Sequence, residues 1–173
     1  METEQLVKKA IKGNDEAFLQ LIQTYKVDLY KTALSFLRNE EEALEAMQEV
    51  TYRAYKNIKK LKNEVYFKTW LIRIMINYCN DQLKHKKRVV RNDEILNSLG
   101  FSENHSQLEL KDAMLDLDDR SREILTLKYF NDVKIKDIAT IMQCPEGTVK
   151  TWLNKALRAL REKLEEKGGN LHV

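Results

Sequence analysis

Apolar residues recur along most of this chain at the spacing of an amphipathic helix. Phe18, Leu19, Ile22, Tyr25 and Leu29 form the first clear stripe, behind Asn14, which can cap a helix after the Lys12-Gly13 break. Asn39 followed by Glu42 has the form of a capping box with Asn as the cap, opening a helix that carries Ala43, Leu44, Met47, Val50, Ala54 and Tyr55. A polar, lysine-rich stretch from Asn57 to Glu64 interrupts the pattern. It resumes as one long helix, YFKTWLIRIMINYCNDQLKHKKR. On that helix Leu71, Ile74, Met75, Tyr78 and Cys79 share one face, and Arg73, Asn77, Asn80, Lys84, Lys87 and Arg88 line the opposite one. Residues 89–107 lose periodicity and gather Asn, Ser and Gly, as a linker does. From Leu108 helical spacing returns in four short blocks, 108–116, 119–130, 134–142 and 145–165. The pattern predicts an all-α fold: two small helical domains, 1–88 and 108–173, joined by a flexible linker over 89–107.

Composition narrows the class. One proline and five glycines are too few for an all-β sandwich or barrel, which consumes turn residues at every hairpin. No apolar run approaches the ~18 residues of a membrane span, and METEQLVKKA lacks a signal peptide's apolar stretch. Cys79 and Cys144 give neither a disulfide framework nor metal-ligand spacing. The expectation is a cytoplasmic protein with no membrane insertion and no cofactor.

The net charge of +3 is modest, but its distribution is informative. Residues 1–88 carry 17 basic and 12 acidic groups, residues 89–107 one and three, and residues 108–173 twelve of each. Within the balanced part, Lys150, Lys155, Arg158, Arg161 and Lys163 stand against Glu162 alone over 150–163. A second knot is Lys84, Lys86, Lys87, Arg88 and Arg91. One basic stretch in each half suits two separate contacts with a polyanion; the alternative is two solvated helix faces.

The sharpest local signal is KIKDIATIMQCPEGTVKTWLNKALRALREKL. Ile138 and Ala139 lie on a short helix, where the small Ala139 leaves room for a second helix to cross. Gln143-Cys144-Pro145-Glu146-Gly147 turns the chain, with Pro145 suited to the first helical position. Val149, Leu153, Ala156, Leu157, Leu160 and Leu164 then form an apolar stripe, and Thr151, Asn154, Lys155, Arg158 and Arg161 fall opposite. This is the pattern of a helix-turn-helix whose second helix offers donors and cations to a major groove. The alternative is a helical hairpin with an ordinary polar face. Trp152, at the stripe's edge, reads as a packing residue. Lys134 stands where a Ser or Thr would cap the unit's first helix, leaving Asp132 or Asp137 to compensate.

In the first half, the ridge of Arg, Asn and Lys can hold phosphates and read a base edge together. Just before it, Leu61, Tyr66, Phe67 and Trp70 interleave with Lys59, Lys60, Lys62 and Lys68. Flat groups among cations suit an unpaired strand; Phe67 and Trp70 can equally be core residues that pin the helix start. An enzyme is not expected. His85, His105 and His172 are scattered, and Glu40-Glu41-Glu42 are first-turn residues favourable to the helix dipole. The remaining rivals are a stand-alone helix-turn-helix regulator and a purely protein-binding helical module.

The segments LEAMQEVTYRAYKNIKKLK, FKTWLIRIMINYCNDQLKHKKR and REILTLKYFNDVKIKDIATIMQCPEGTVKTWLNKALRALREKL, in this order, resemble an extracytoplasmic-function (ECF) sigma factor of bacterial RNA polymerase. The resemblance covers nearly the whole chain. It implies core RNA polymerase and promoter DNA as partners, with an anti-sigma factor, soluble or membrane-anchored, as regulator. By position, Glu45, Gln48, Glu49 and Thr51 resemble the polymerase-binding helix, with Glu45 replacing the usual Asp. Asn77 matches the residue that holds an extruded −10 base, and Leu61 lies in the loop shaping its pocket. Lys62, Asn63, Arg73, Asn80, Lys84, Lys87 and Arg88 complete the −10 set. Lys150, Thr151, Asn154, Lys155 and Arg158 match the −35-reading helix, where Trp152 replaces a frequent Arg. Leu117-Asp118 replaces the usual Leu-Pro, and Asp118 can serve as the cap. The implied mechanism offsets the cost of melting with a pocket for one flipped base and cations along the strand.

Overall fold

The computed structural model describes residues 2–90 and 105–169, and among them every regular element is helical. The first domain contains α1 (Glu2–Ile11), α2 (Asp15–Leu37), α3 (Glu40–Asn57) and α4 (Phe67–Val90). Two 3-10 turns, Ile58–Lys60 and Glu64–Tyr66, occupy the lysine-rich interruption. The second contains α5 (His105–Leu115), α6 (Asp119–Leu125), α7 (Ile135–Ile141) and α8 (Glu146–Gly169). Since α4 continues to Val90 and α5 starts at His105, residues 91–104 of the expected linker lie outside the described residues.

Local chemistry sets the helix ends. Gly13 turns between α1 and α2 at φ +98°, a left-handed conformation that favours glycine. Asn14 then caps α2, its side-chain oxygen accepting the Ala17 N–H at 2.8 Å. Arg38, at φ 54°, ends α2 by donating its N–H to the Leu34 carbonyl at 2.9 Å. Asn39 accepts the Glu42 N–H at 3.0 Å, which is half of the expected box. The other half is diverted: the Glu42 carboxylate pairs with Lys86 near the far end of α4. Asp118 caps α6 by accepting the Ser121 N–H at 2.7 Å. That bond is the main reason its carboxyl sits below the usual range, with Lys155 and Arg122 as further causes.

The first core packs α4 across α2 and α3. Leu21, Leu29, Val50, Phe67, Leu71, Ile72, Met75 and Ile76 are buried, so Phe67 is the pin of α4 and Trp70 packs half-buried beside it. Burial pushes the Cys79 thiol up to about 12. Leu19, Leu44, Tyr55 and Leu157, expected in apolar stripes, are exposed instead. Each follows or precedes a small or fully buried core residue, and 100° of rotation carries it off the packed face.

In the second domain the block expected over 119–130 divides. α6 stops at Leu125 and the chain widens into a π-turn, Thr126–Phe130, whose Thr126 carbonyl accepts both the backbone and side-chain N–H groups of Asn131. Pro145 lies one residue outside α8 rather than in its first turn, and its carbonyl accepts the Thr148 and Val149 N–H groups at 3.0 and 3.3 Å. Lys134 supplies no side-chain cap to α7, and Asp137 sits in that helix's first turn.

Replacing Lys134 with Ser should therefore stabilise the chain by ~0.5–1 kcal/mol, and Asp118→Ala should cost ~1 kcal/mol. Urea denaturation midpoints measure both; a Lys134→Ser variant no more stable than the native chain would show that Asp137 already satisfies the helix start.

Candidate nucleic-acid interface

Helix α8 divides into two faces. Val149, Leu153 and Ala156 are buried against α6 and α7. Lys150, Thr151, Asn154, Lys155 and Arg158 are all exposed, and the three cations among these five make no ion pair among the described residues. Thr151 spends its hydroxyl on the Gly147 carbonyl at 3.0 Å, leaving its oxygen as an acceptor. Trp152 is half-buried at the edge, as expected, and the Arg120 guanidinium stacks over its ring at 4.2 Å. Arg120 is exposed. It was not among the residues the sequence singled out, because α6 and α8 meet only through the fold. Asp118 feels the charge of Lys155, so the start of α6 lies beside this face and Arg120 adds a cation to its rim.

The ridge on α4 is a different environment. Asn77 is exposed, with no hydrogen-bond partner among the described residues. Its neighbours are occupied by the second domain. Arg73 donates to the Glu123 carboxylate at 2.6 Å, and Lys84 pairs with Asp119 at 2.5 Å. Asn80 is 4% exposed; its carbonyl accepts from Arg122 at 3.1 Å and its amide donates to the Asp119 carbonyl at 3.4 Å. The side chains of Lys87 and Arg88 lie outside the described residues. In the preceding loop Leu61 packs half-buried on the core and Lys62 is exposed. Asn63 caps the second 3-10 turn through the Val65 N–H at 3.0 Å.

On α3, Glu45 and Gln48 are exposed beside Leu44 and Tyr52, two apolar groups more than half exposed. Glu49 pairs with Arg53 at 2.9 Å within the helix. Thr51 is half-buried, and its hydroxyl donates to the Met47 carbonyl at 2.6 Å. Glu45, Gln48 and Glu49 thus share a solvent face with apolar groups, whereas Thr51 serves the helix.

Arg122 organises the junction. Its guanidinium donates to Asn80, to the Leu115 carbonyl at 2.9 Å, to the Leu117 carbonyl and to Asp119 at 2.7 Å. Burial lowers its pKa, opposed by Asp119, Asp118 and Asp116. A cleft of about 400 Å³ opens here, lined by Leu83, Lys84, Leu117, Asp118, Asp119 and Arg122. Arg38 adds a further bridge to Asp112 at 2.5 Å. The partly exposed Lys84–Asp119 and Arg38–Asp112 pairs contribute ~0.2–1 kcal/mol each, beside the buried bonds of Arg122 and a core cluster that includes residues of both domains. No group of three or more His, Cys, Asp or Glu side chains among the described residues could hold a metal ion.

Two family models match: Sigma-70 region 2 over residues 21–89 and Sigma-70, region 4 over residues 107–160. The ECF RNA polymerase sigma factor SigW of Bacillus subtilis is 32% identical over 186 residues, covering 94% of this chain and 99% of SigW. The RNA polymerase sigma factor SigV of the same organism is 31% identical over 146 residues, covering 83% and 88%. Among solved structures, CnrH in complex with the cytosolic domain of CnrY superposes with a TM-score of 0.70 at 21% identity, covering 96% of this chain and 99% of that one. The sigma factor RpoE in complex with the anti-sigma factor NepR from Bartonella quintana gives 0.64 at 22% identity, covering 86% and 96%. These two likenesses are of fold.

Because the guanidinium of Arg122 joins three backbone segments, Arg122→Leu should destabilise the chain by ~2–4 kcal/mol. Denaturant unfolding measures this. A loss no larger than that of an exposed Arg120→Leu control would mean water replaces these bonds at little cost.

Proposed function

The chain belongs to the ECF sigma factors of bacterial RNA polymerase, and we propose that it uses α3 to dock on core polymerase, α4 to hold the melted −10 strand and α8 to read the −35 duplex. Residues 1–88 are assigned to the first two tasks, residues 108–173 to the third, and residues 89–107 to the connection between them. The observation that carries the assignment is α8, where Val149, Leu153 and Ala156 are buried and Lys150, Asn154, Lys155 and Arg158 are exposed. Cations there neutralise phosphates, and the amide of Asn154 can pair with a base edge. Arg120, steadied on Trp152, joins them as a phosphate contact.

On α4, Asn77 offers an amide with donors and an acceptor to the Watson–Crick edge of an extruded base. Arg73 and Lys84 lie one turn and two turns away, spaced to follow a strand. Glu45 and Gln48 supply charge and hydrogen bonds to polymerase, and Leu44 and Tyr52 supply apolar area. The protein acts as an initiation factor in the cytoplasm and catalyses no reaction itself; no described helix is long and apolar enough to cross a membrane. An anti-sigma factor, soluble or membrane-anchored, is its regulator in this reading. The solved relatives CnrH and RpoE, caught with the cytosolic domain of CnrY and with the anti-sigma factor NepR, support that part.

Transcription with purified core polymerase and a promoter library tests the assignment: RNA should start at defined sites only when the chain is added. Asn77→Ala should lower open-complex formation by roughly tenfold and leave −35 duplex binding intact. Equal loss in both steps would refute the flipped-base role. Arg158→Ala and Arg120→Ala should each reduce the salt dependence of duplex binding by roughly one unit; an unchanged slope would place that side chain off the phosphates.

A further inference from the structure

None of the residues assigned to docking or to DNA lies on α1, yet α1 holds the loop that leads into α4. Lys8 reaches from α1 to the Glu64 carboxylate at 3.0 Å, and α1 packs on both 3-10 turns of that loop. Glu64 also ties the loop to α4: its carbonyl accepts the N–H of Phe67, the buried first residue of that helix. Its carboxylate is held below the usual range by its own backbone N–H and by Lys8. We propose that Lys8 is a positioning residue for −10 recognition, fixing through Glu64 the loop that carries Leu61, Lys62 and Asn63 against the start of α4. The proposal rests on the assignment of the −10 strand to α4 and this loop.

The charge pattern explains what such a brace does. Between Asn57 and Tyr66 Glu64 is the only acid, among Lys59, Lys60 and Lys62. The three lysines are exposed, and like charges so close repel one another and favour no single loop shape. The buried anchors Ile58 and Phe67 stand at the two ends, with Leu61 half-buried between them. A carboxylate drawn to one of the loop lysines would reshape the turn and cancel a cation that the strand needs. Lys8 takes that carboxylate from outside the loop, on a helix whose face is set by buried Val7 and Ala10. Lys62 makes no ion pair among the described residues and keeps its charge for a phosphate. A partly exposed pair shifts an equilibrium by roughly twofold to fivefold, enough to bias a loop without deciding whether the domain folds.

Open-complex formation by core polymerase with the full chain tests the brace, on a promoter taken from the library and on variants of it changed at each −10 base in turn. Lys8→Glu and Glu64→Lys should each lower discrimination among the −10 bases roughly twofold to fivefold. The double variant, with the two charges exchanged, should restore it. Core affinity and −35 duplex binding should not change in any of the three. Glu64→Lys adds a cation beside the strand, so a simple charge effect would raise open-complex formation; such a rise overturns the proposal. An exchanged pair that restores nothing overturns it too, since Lys8 would then act by itself. If Leu61→Ala and Lys62→Ala impair −10 recognition while the Lys8 and Glu64 variants match the native chain, the brace is refuted and the loop assignment stands. If all four single variants leave −10 recognition unchanged, both are removed.

Discussion

A guanidinium buried as deeply as that of Arg122 needs acceptors for its N–H groups, and the second domain is arranged around supplying them. The carbonyls of Leu115 at the end of α5 and of Leu117 just beyond it, the carboxylate of Asp119 at the start of α6 and the side chain of Asn80 on α4 all converge on it. These bonds fix the angle between α5 and α6. Asp118, one residue before Asp119, is thereby placed to cap α6. Since α6 packs on α8, the orientation of the exposed α8 cations follows from the same anchor. The same side chain reaches across to α4, so the fold of one domain and its attachment to the other depend on a single charged group.

Much of this was legible because it is local. Asn14, Asn39 and Asp118 are caps by side-chain chemistry and position alone, and their partners lie three residues away. Helical periodicity likewise separated the core and polar faces of α4 and α8. What the sequence withheld depends on partners far along the chain. Nothing near Glu42 indicates that its carboxylate serves Lys86 instead of the Asn39 N–H. Nothing near Asn80 says that a residue on a polar stripe is buried. Leu44 and Tyr52 fit an apolar stripe as well as a docking face, and only packing distinguishes the two. The division of α6 at Thr126 depends on Asn131, whose side chain competes for a helical carbonyl.

Charge counting concealed a separation of charges. Residues 108–173 carry twelve acids and twelve bases, a balance that suggests no field. In the folded domain Asp119 and Glu123 face α4, whereas Lys150, Lys155 and Arg158 are exposed on α8. The domain is polarised even though it is neutral in sum, and a polarised domain orients a polyanion before it touches it.

Glu123 shows what that polarity entails. Its side chain is 10% exposed and its cationic partner, Arg73, comes from the other domain. Pulling the domains apart strips this group of its counter-ion and hands it to water, along with Asp119. A patch that had been silent would then carry uncompensated negative charge on the flank of α6 that had faced α4. Separation of the halves would thus create a sense of direction that the joined molecule lacks.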